Sequence, residues 1–252
     1  MKKILALSRF EINILMDNKI SFIFSLIFPV IYMAYNFIKF HHSGASESLF
    51  LFILPYLSYL IVTNVLYGWV ANITAVRENN FLKVFSSIAG DKKYVFIAKF
   101  LITLISIFIQ AELLAISLEF ITRHVDLYLL LKIALITPLA SFFLCSGLSI
   151  LLLLSIRPQP LQLFLTVYLI GGMFFMGTQT HNLFFKILLN TWNAFSFIFN
   201  FGQVFVQSDR FSFYNIITLM IPIIMFLLLG VLSLSRIPVS SKFNRLWEVK
   251  WR

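Results

Sequence analysis

The sequence predicts an all-α integral membrane protein, and three features support this fold class. The chain of 252 residues is 60% hydrophobic and only 12% charged, whereas a soluble core of this size needs a larger share of polar residues to cover it. Its apolar residues gather into runs long enough to cross a bilayer. Its basic residues fall mainly in alternate loops between these runs, which is typical of multi-pass proteins.

The apolar runs give the number of membrane spans. A hydrocarbon core of ~30 Å requires about 20 apolar residues per helix, and six runs approach that length. We therefore predict six membrane-spanning helices. They cover Ile20–Ile38, Leu49–Ile73, Tyr94–Phe120, Leu127–Ile156, Leu161–Met176 and Tyr214–Ser235.

The distribution of Lys and Arg predicts the orientation of these spans. If both termini lie on one side, 15 of the 20 basic residues fall on that side and five on the other. Excess Lys and Arg remain in the cytoplasm. Both termini and the loop between the second and third spans are therefore predicted to be cytoplasmic.

One further apolar segment leaves two topologies open. Leu183–Val206 is long enough for a seventh span, but a seventh crossing would place the basic residues of the C-terminal segment outside the cell, against the charge rule. We therefore expect Gly177–Phe213 to be an external segment that re-enters the outer leaflet as short helices. Irregular backbone is tolerated at that depth where protein buries it.

A short amphipathic stretch, Arg77–Lys93, separates the second and third spans. Four of its apolar residues, Phe81, Val84, Phe85 and Ile88, fall at i, i+3, i+4 and i+7, which places them on one stripe of a helix. A helix of about a dozen residues is too short to span a bilayer. It is predicted to lie along the cytoplasmic surface, either as an interfacial helix or as a docking helix for a cytoplasmic partner.

Local signals predict where this helix ends. Gly90 is a typical residue at a helix C-terminus, and Asp91 is suited to cap the helix that follows.

The N-terminal segment has a similar apolar stripe, formed by Leu7, Phe10 and Ile14. It predicts an in-plane amphipathic helix, which could equally be a simple membrane anchor.

The loop sequence Arg-Glu-x-x-x-Leu-Lys, formed by Arg77, Glu78, Leu82 and Lys83, resembles the cytoplasmic loop of ATP-binding-cassette (ABC) type 2 exporter permeases. The layout of the whole chain is similar to that family: an amphipathic helix before the first span, Pro29 within that span, and an apolar segment between spans five and six. The resemblance implies a single permease domain over residues 1–252, without a nucleotide-binding domain, in a bacterial cytoplasmic membrane.

The resemblance also implies partners. In that family the loop is a coupling helix seated in a cleft of a separate ATPase subunit, which binds and uses ATP and Mg²⁺, and a second permease copy or homologue completes the pathway. By this resemblance Arg77 and Glu78 supply charged contacts, and Phe81 and Phe85 pack against the ATPase. The implied coupling residues are Arg77, Glu78, Phe81, Leu82, Lys83, Phe85 and Ile88.

The chain itself has no recognisable catalytic motif. No Gly opens a G-x-x-x-x-G-K-[ST] phosphate-binding loop, so ATP hydrolysis is expected in a partner subunit. No His, Cys, Asp and Glu spacing typical of a metal site occurs. The net charge of +10 is better explained by membrane topology than by nucleic acid.

Polar residues inside the predicted spans are candidates for a translocation pathway. Glu112 and Glu119 are seven residues apart on the third span and share a helix face. Carboxylates inside a membrane are functional candidates, here for an acidic outer vestibule or a protonation site, but we favour hydrated or helix-capping carboxylates near the outer headgroups. Asn64 and Tyr67 on the second span, and Thr166 on the fifth, are the other candidates, because these spans line the pathway in the resembling family.

These features predict an exporter subunit that moves hydrophobic or amphipathic cargo, such as peptides, drugs or lipids, by alternating access. The Phe-rich spans are consistent with such cargo. The alternative is a stand-alone transporter, or an immunity or sensor module, that has no ATPase partner. The coupling helix separates the two hypotheses, because only the first requires it.

Overall fold

The computed structural model describes residues 2–17, 19–42, 49–154, 156–178, 180, 182–206 and 213–239. Within these ranges the regular elements are all helices. In chain order they are α1 (Lys2–Asp17), α2 (Lys19–His42), α3 (Leu49–Thr63), α4 (Asn72–Glu78), α5 (Phe81–Ala89), α6 (Lys92–Thr122), α7 (Leu127–Leu148), α8 (Pro158–Phe174), α9 (Leu183–Trp192), α10 (Ala194–Val206) and α11 (Phe213–Arg236).

Two of the long helices contain a segment that is not α-helical. A π-helical segment, Asn64–Ala71, joins α3 to α4, so that one helix of 30 residues runs from Leu49 to Glu78. A 3₁₀ segment, Ser149–Leu153, extends α7. The π-helical segment is eight residues long, whereas most π-helices are single-turn bulges that often lie at functional sites.

Among the described residues, four helices are long and apolar enough to cross a membrane: Leu49–Glu78, Lys92–Thr122, Leu127–Leu153 and Phe213–Arg236. They coincide with four of the six predicted runs, and they make the chain a multi-pass membrane protein. The other two predicted spans correspond to α2, of 24 residues, and α8, of 17 residues. Membrane crossing by α2 and α8 remains a prediction.

Local sequence sets several helix boundaries. Gly90 ends α5 with a φ of 86°, a left-handed conformation that favours glycine. The Asp91 carboxylate then caps α6 by accepting a hydrogen bond from the backbone N–H of Lys93 at 3.0 Å. Both boundaries confirm the predictions from Gly90 and Asp91.

The core of the bundle depends on close helix contacts. The helices α6, α7 and α11 pack side by side, and small residues bring α7 and α11 together. A Cβ added to Gly230 would lie 2.8 Å from the Cβ of Ser146. Small residues at such contacts let two backbones approach closely, which is how helices associate in membranes.

The segment 183–206 forms two short helices, α9 of 10 residues and α10 of 13. They are separated at Asn193, which has extended backbone dihedrals. The Asn193 side chain fixes this break, because it accepts from the N–H of Phe195 at 3.0 Å and donates to the carbonyl of Gly172 at 2.9 Å. The segment thus forms two short helices and no single helix of spanning length, whereas its external position and its re-entry into the membrane stay predictions.

Helix α10 is buried among the long helices. Phe195, Phe197 and Ile198 are inaccessible to solvent, and the Phe197 ring lies 5.1 Å from that of Phe226. Phe226 is about 20 Å along α11 from its start, at ~1.5 Å per residue. The short helix α10 therefore packs beside the middle of α11, which is consistent with the predicted re-entry.

Candidate functional site

The predicted amphipathic helix forms as α5, but it has nine residues and begins at Phe81, whereas Arg77 and Glu78 belong to the end of α4. Asn79 and Asn80 make the turn between the two helices, and Asn80 has a φ of 61°. Asn adopts this left-handed conformation more readily than most non-glycine residues. The turn allows the chain to leave the axis of the long helix and to start α5 in a new direction.

The two faces of α5 differ in exposure. Leu82 and Ala89, seven residues apart, are buried against the bundle. Phe81 is 55% exposed and Ile88 is 74% exposed, and Val84 on the same face is also exposed. The apolar stripe predicted from the sequence is therefore directed away from the protein core. Lys83, which is polar, is also exposed.

Helix α1 extends this apolar face. The ring of Phe10 lies 5.3 Å from that of Phe85, and Phe85 lies 6.3 Å from Phe81. Phe85 is half-buried between them, and Phe10 is exposed. We call the exposed residues Phe10, Phe81, Val84 and Ile88 the α1–α5 surface. The side chain of Ile14, the third residue of the predicted α1 stripe, lies outside the described residues.

Arg77, at the end of α4, is completely buried. Its guanidinium pairs with Glu78 at 2.7 Å and donates to the carbonyls of Leu152 and Leu154, the latter at 3.0 Å. These carbonyls lie at the end of the 3₁₀ segment after α7, where helical backbone acceptors lack partners. Arg77 and Glu78 therefore bind groups of this chain. Of the implied coupling residues, Phe81, Lys83 and Ile88 are exposed.

A buried ion pair fixes α1 to the bundle. The Lys99 ammonium on α6 lies 2.8 Å from both carboxylate oxygens of Glu11, and it also donates to the Asn72 side-chain carbonyl at 3.1 Å. Glu11 and Lys99 are both buried. Because buried charges are costly unless they are paired, this contact determines where α1 lies relative to α6 and α4.

The candidate pathway residues on the second span lie in the π-helical segment. The Asn64 amide donates to the Gln110 side chain of α6 at 2.7 Å, and the Ser25 hydroxyl of α2 donates to the same oxygen at 3.2 Å. The Tyr67 and Thr166 hydroxyls are 2.7 Å apart. The structure thus brings Tyr67 and Thr166 together across two predicted spans, and it adds Gln110 to the set.

Glu112 lies apart from these residues. It is two positions from Gln110 on α6, which corresponds to a rotation of about 200° around the helix. One of its carboxylate oxygens is buried and has no hydrogen-bond partner in the described part of the chain. Glu119 accepts a hydrogen bond from the backbone N–H of Asp126 at 3.1 Å, so it stabilises the turn between α6 and α7.

The polar contacts of Trp69 were not expected from the sequence. Its indole N–H donates to the Ser149 hydroxyl at 3.0 Å, which connects the π-helical segment to the start of the 3₁₀ segment. The only sequence signal was the presence of a Trp within an apolar run, which an interfacial aromatic belt explains equally well.

Comparison with known proteins adds no family assignment. No protein-family model matches the chain, and searches of curated proteins and of solved structures give no significant match.

Proposed function

We propose that this chain is the transmembrane permease subunit of an ATP-driven exporter of the ABC type 2 kind. In this proposal six helices span a bacterial cytoplasmic membrane, with α2 and α8 as the first and fifth spans and both termini in the cytoplasm. Residues 1–252 act as a permease domain, and separate subunits bind and hydrolyse ATP with Mg²⁺. A second copy of this chain, or a homologous permease, completes the pathway.

The α1–α5 surface is the observation that carries the proposal. It is an apolar face on two short helices, next to the end of α4, where Arg77 is buried. An interfacial helix would also present apolar residues. However, α5 follows α4 after a two-residue turn, and Arg77 at the end of α4 is hydrogen-bonded to the end of the 3₁₀ segment after α7. In this proposal a force applied to α5 is transmitted through α4 to the end of α7. That connection is what a coupling helix requires.

The polar pairs within the bundle support a pathway for amphipathic cargo. The Tyr67–Thr166 and Asn64–Gln110 contacts connect helices of the candidate pathway, and each pair provides hydrogen-bonding groups between predicted spans. Hydrogen bonds between helices in a membrane are worth roughly 1 kcal/mol each. Such contacts are therefore weak enough to exchange when the helices move between inward-open and outward-open states.

The experiment compares two substitutions at equally exposed apolar residues. Ile88 and Val125 are each 74% exposed, but Ile88 lies on the α1–α5 surface and Val125 lies in the turn after α6. The wild type and the variants Ile88→Asp and Val125→Asp are isolated from native membranes in mild detergent. Co-purified ATPase subunits are then quantified, and ATP hydrolysis is measured after reconstitution.

We expect the wild type and Val125→Asp to retain an ABC ATPase and its activity, and Ile88→Asp to lose the bound subunit at least tenfold, which corresponds to about 1.4 kcal/mol. Equal retention in both variants would contradict the coupling role of this surface. If the wild type brings no ATPase, the stand-alone transporter or immunity module becomes the better explanation.

A further inference from the structure

We propose that Glu112 of α6 is a proton-binding site that faces the lipid of the bilayer. The side chain lies among exposed isoleucines on one of the four long apolar helices. Ile105, Ile109 and Ile116 are seven and three residues before it and four residues after it, so they share its helix face. They are 51%, 46% and 49% exposed. In a membrane-spanning helix such a face contacts lipid, so Glu112 borders the hydrocarbon.

The position of Glu112 along α6 places it inside the hydrocarbon. The 31 residues of α6, at ~1.5 Å each, make a helix of about 46 Å, whereas the hydrocarbon core is ~30 Å thick. If the middle of α6 lies at the middle of the bilayer, Glu112 is about 8 Å from the centre. If the hydrocarbon begins at Lys99 instead, Glu112 is still about 10 Å from the far edge. Glu119 lies at or beyond that edge in both cases.

The carboxyl group of Glu112 has no partner that would stabilise a negative charge. One of its oxygens is buried, and no hydrogen-bond donor within the described ranges reaches it. The ion pairs among the described residues are Arg77–Glu78 and Lys99–Glu11. An unpaired carboxylate is costly in these surroundings, and such a group becomes neutral by binding a proton.

The cations of the neighbouring helices α2, α3 and α7 are bound elsewhere. All three helices pack against α6, and α3 has no charged residue. Lys39 of α2 lies 4.6 Å from the centre of the Tyr35 ring. Lys132 of α7 lies 3.9 Å from the centre of the Tyr128 ring, closer than Glu112 to the turn between α6 and α7. These contacts direct both ammonium groups onto aromatic rings.

The remaining charges near α6 do not compensate a carboxylate at Glu112 either. Helices α1 and α5 contact α6 near its start, where Lys99 pairs with Glu11 about 20 Å from Glu112 along the helix. At the other end, Glu119 and Asp126 carry the same sign of charge. Glu119 acts on Glu112 electrostatically, and like charges favour the protonated form.

A protonated carboxyl group that faces lipid reacts with an apolar carbodiimide. The acid proton passes to one nitrogen of the reagent while a carboxyl oxygen bonds to its central carbon, and the acyl group then moves to the other nitrogen. No group leaves, so the N-acylurea product contains every atom of both reactants. An ionised carboxylate lacks the proton that the first step requires, and exclusion of water suppresses hydrolysis of the intermediate.

The test uses the full chain in phosphatidylcholine vesicles at neutral pH. Dicyclohexylcarbodiimide is added, and mass spectrometry of peptides identifies the labelled residue and the extent of labelling. We expect Glu112 to be labelled in the wild type, Glu112→Asp to retain the label at this position, and Glu112→Gln to lose it. The matched control is Glu112→Gln with Val125→Glu, which moves the carboxyl group to the 74% exposed position in the turn after α6. Its labelling should be about tenfold lower, because exposed carboxylates are ionised at this pH.

A second measurement follows the proton without any chemical labelling. If folded Glu112 holds a proton that the unfolded chain releases, a rise in pH favours unfolding. Between about pH 6 and about pH 8, the folding equilibrium constant of the wild type in detergent should fall by up to about tenfold per pH unit more than that of Glu112→Gln. Glu112→Asp keeps a carboxyl group and should retain the wild-type dependence on pH.

Three results would overturn the proposal. If a water-soluble carbodiimide with glycine ethyl ester labels Glu112 and the apolar reagent does not, the carboxyl group lies in an aqueous vestibule. If neither reagent labels it, protein rather than lipid covers this face of α6. If the wild type and Glu112→Gln have the same dependence on pH, Glu112 is ionised in the folded protein. None of these results depends on an ATPase partner.

Discussion

At the scale of single residues, the contact between Glu11 and Lys99 has the clearest energetic consequence. Removing one partner of a buried pair leaves an uncompensated charge and typically costs about 3–5 kcal/mol. We therefore predict that Glu11→Gln and Lys99→Met each lower the free energy of unfolding by about this amount. Thermal unfolding of the detergent-solubilised protein measures the effect, with Lys83→Met as the control at an exposed lysine.

A charge exchange tests whether the two residues act as a pair. The double variant Glu11→Lys with Lys99→Glu restores opposite charges at the same two positions, so it should recover part of the lost stability. If the double variant loses as much stability as Glu11→Lys and Lys99→Glu lose in total when each is made alone, Glu11 and Lys99 are not energetically coupled.

Two adjacent glycines give a second prediction at this scale. A Cβ added to Gly172 would lie 2.8 Å from the Phe195 ring and 3.2 Å from the Asn193 side-chain oxygen, whereas a Cβ added to Gly171 meets no atom within 4 Å. Overpacking of this kind costs about 1–3 kcal/mol. We expect Gly172→Ala to lower the unfolding temperature.

Gly171→Ala should leave the unfolding temperature unchanged or raise it slightly, because Ala is favoured over Gly within helices by up to ~1 kcal/mol. The two variants differ by one position in the same helix and introduce the same methyl group. Similar effects of both substitutions would contradict the close contact between α8 and the start of α10.

At the scale of elements, Arg77 joins the end of α4 to the end of the 3₁₀ segment that follows α7. Lysine preserves the charge but lacks the planar fork that lets one arginine donate to Glu78 and to two carbonyls. We predict that Arg77→Lys lowers the free energy of unfolding by about 1–3 kcal/mol, because a buried carbonyl is left without a donor. Thermal unfolding measures this, and Arg9→Lys at an exposed position should have no effect.

If α5 is a coupling helix, Arg77→Lys has a second consequence. The α1–α5 surface keeps its side chains in this variant, so an ATPase should still bind, but movement of α5 is transmitted less firmly to α7. We expect ATPase binding to be retained while transport per ATP hydrolysed decreases. Loss of binding together with transport would indicate that Arg77 maintains the surface itself.

The boundaries of α5 and α6 could be predicted from the sequence because they depend on local signals, Gly90 and Asp91. The direction of the apolar stripe on α5 could not be predicted, because periodicity shows which residues share a helix face but not what that face contacts. Leu82 and Phe81 are adjacent in the sequence, and only packing decides that Leu82 is buried and Phe81 exposed.

The hydrogen-bond acceptors of the Arg77 side chain could not be predicted from the sequence either, because Leu152 and Leu154 are 75 and 77 residues away in the chain. The π-helical segment has no signal in composition or periodicity. For the segment 183–206, the charge distribution favoured short helices over a spanning helix, and the structure adds the position at which the two short helices separate, Asn193.

At the scale of the whole molecule, the four long helices establish a multi-pass protein, but the side on which each loop lies remains a prediction. Residues 240–252, which carry four of the basic residues used to orient the chain, lie outside the described residues. The decisive question is whether α9 and α10 together cross the membrane. If they re-enter, the C-terminal end of α11 is cytoplasmic, and if they cross, that end is external.

Cysteine labelling distinguishes these two topologies. Cys145 is buried and should not react, so new cysteines report their own positions. We predict that a membrane-impermeant maleimide labels Val125→Cys in intact cells, and that it labels Ser87→Cys and Ser235→Cys only after the membrane is permeabilised. Ser87, Val125 and Ser235 are all exposed, so differences in labelling report the side of the membrane.

The labelling of Ser235→Cys distinguishes the topologies. Val125→Cys is the control for an external position, and Ser87→Cys is the control for a cytoplasmic one. Labelling of Ser235→Cys in intact cells, with Ser87→Cys still protected, would require an odd number of crossings between α5 and the end of α11. Either α9 and α10 then add a seventh span, or α8 does not cross. Protection of Ser235→Cys, with Val125→Cys labelled, supports six spans with α10 re-entering beside α11. In that arrangement the α1–α5 surface and the end of α11 lie on the same side of the membrane, as a cytoplasmic ATPase partner requires.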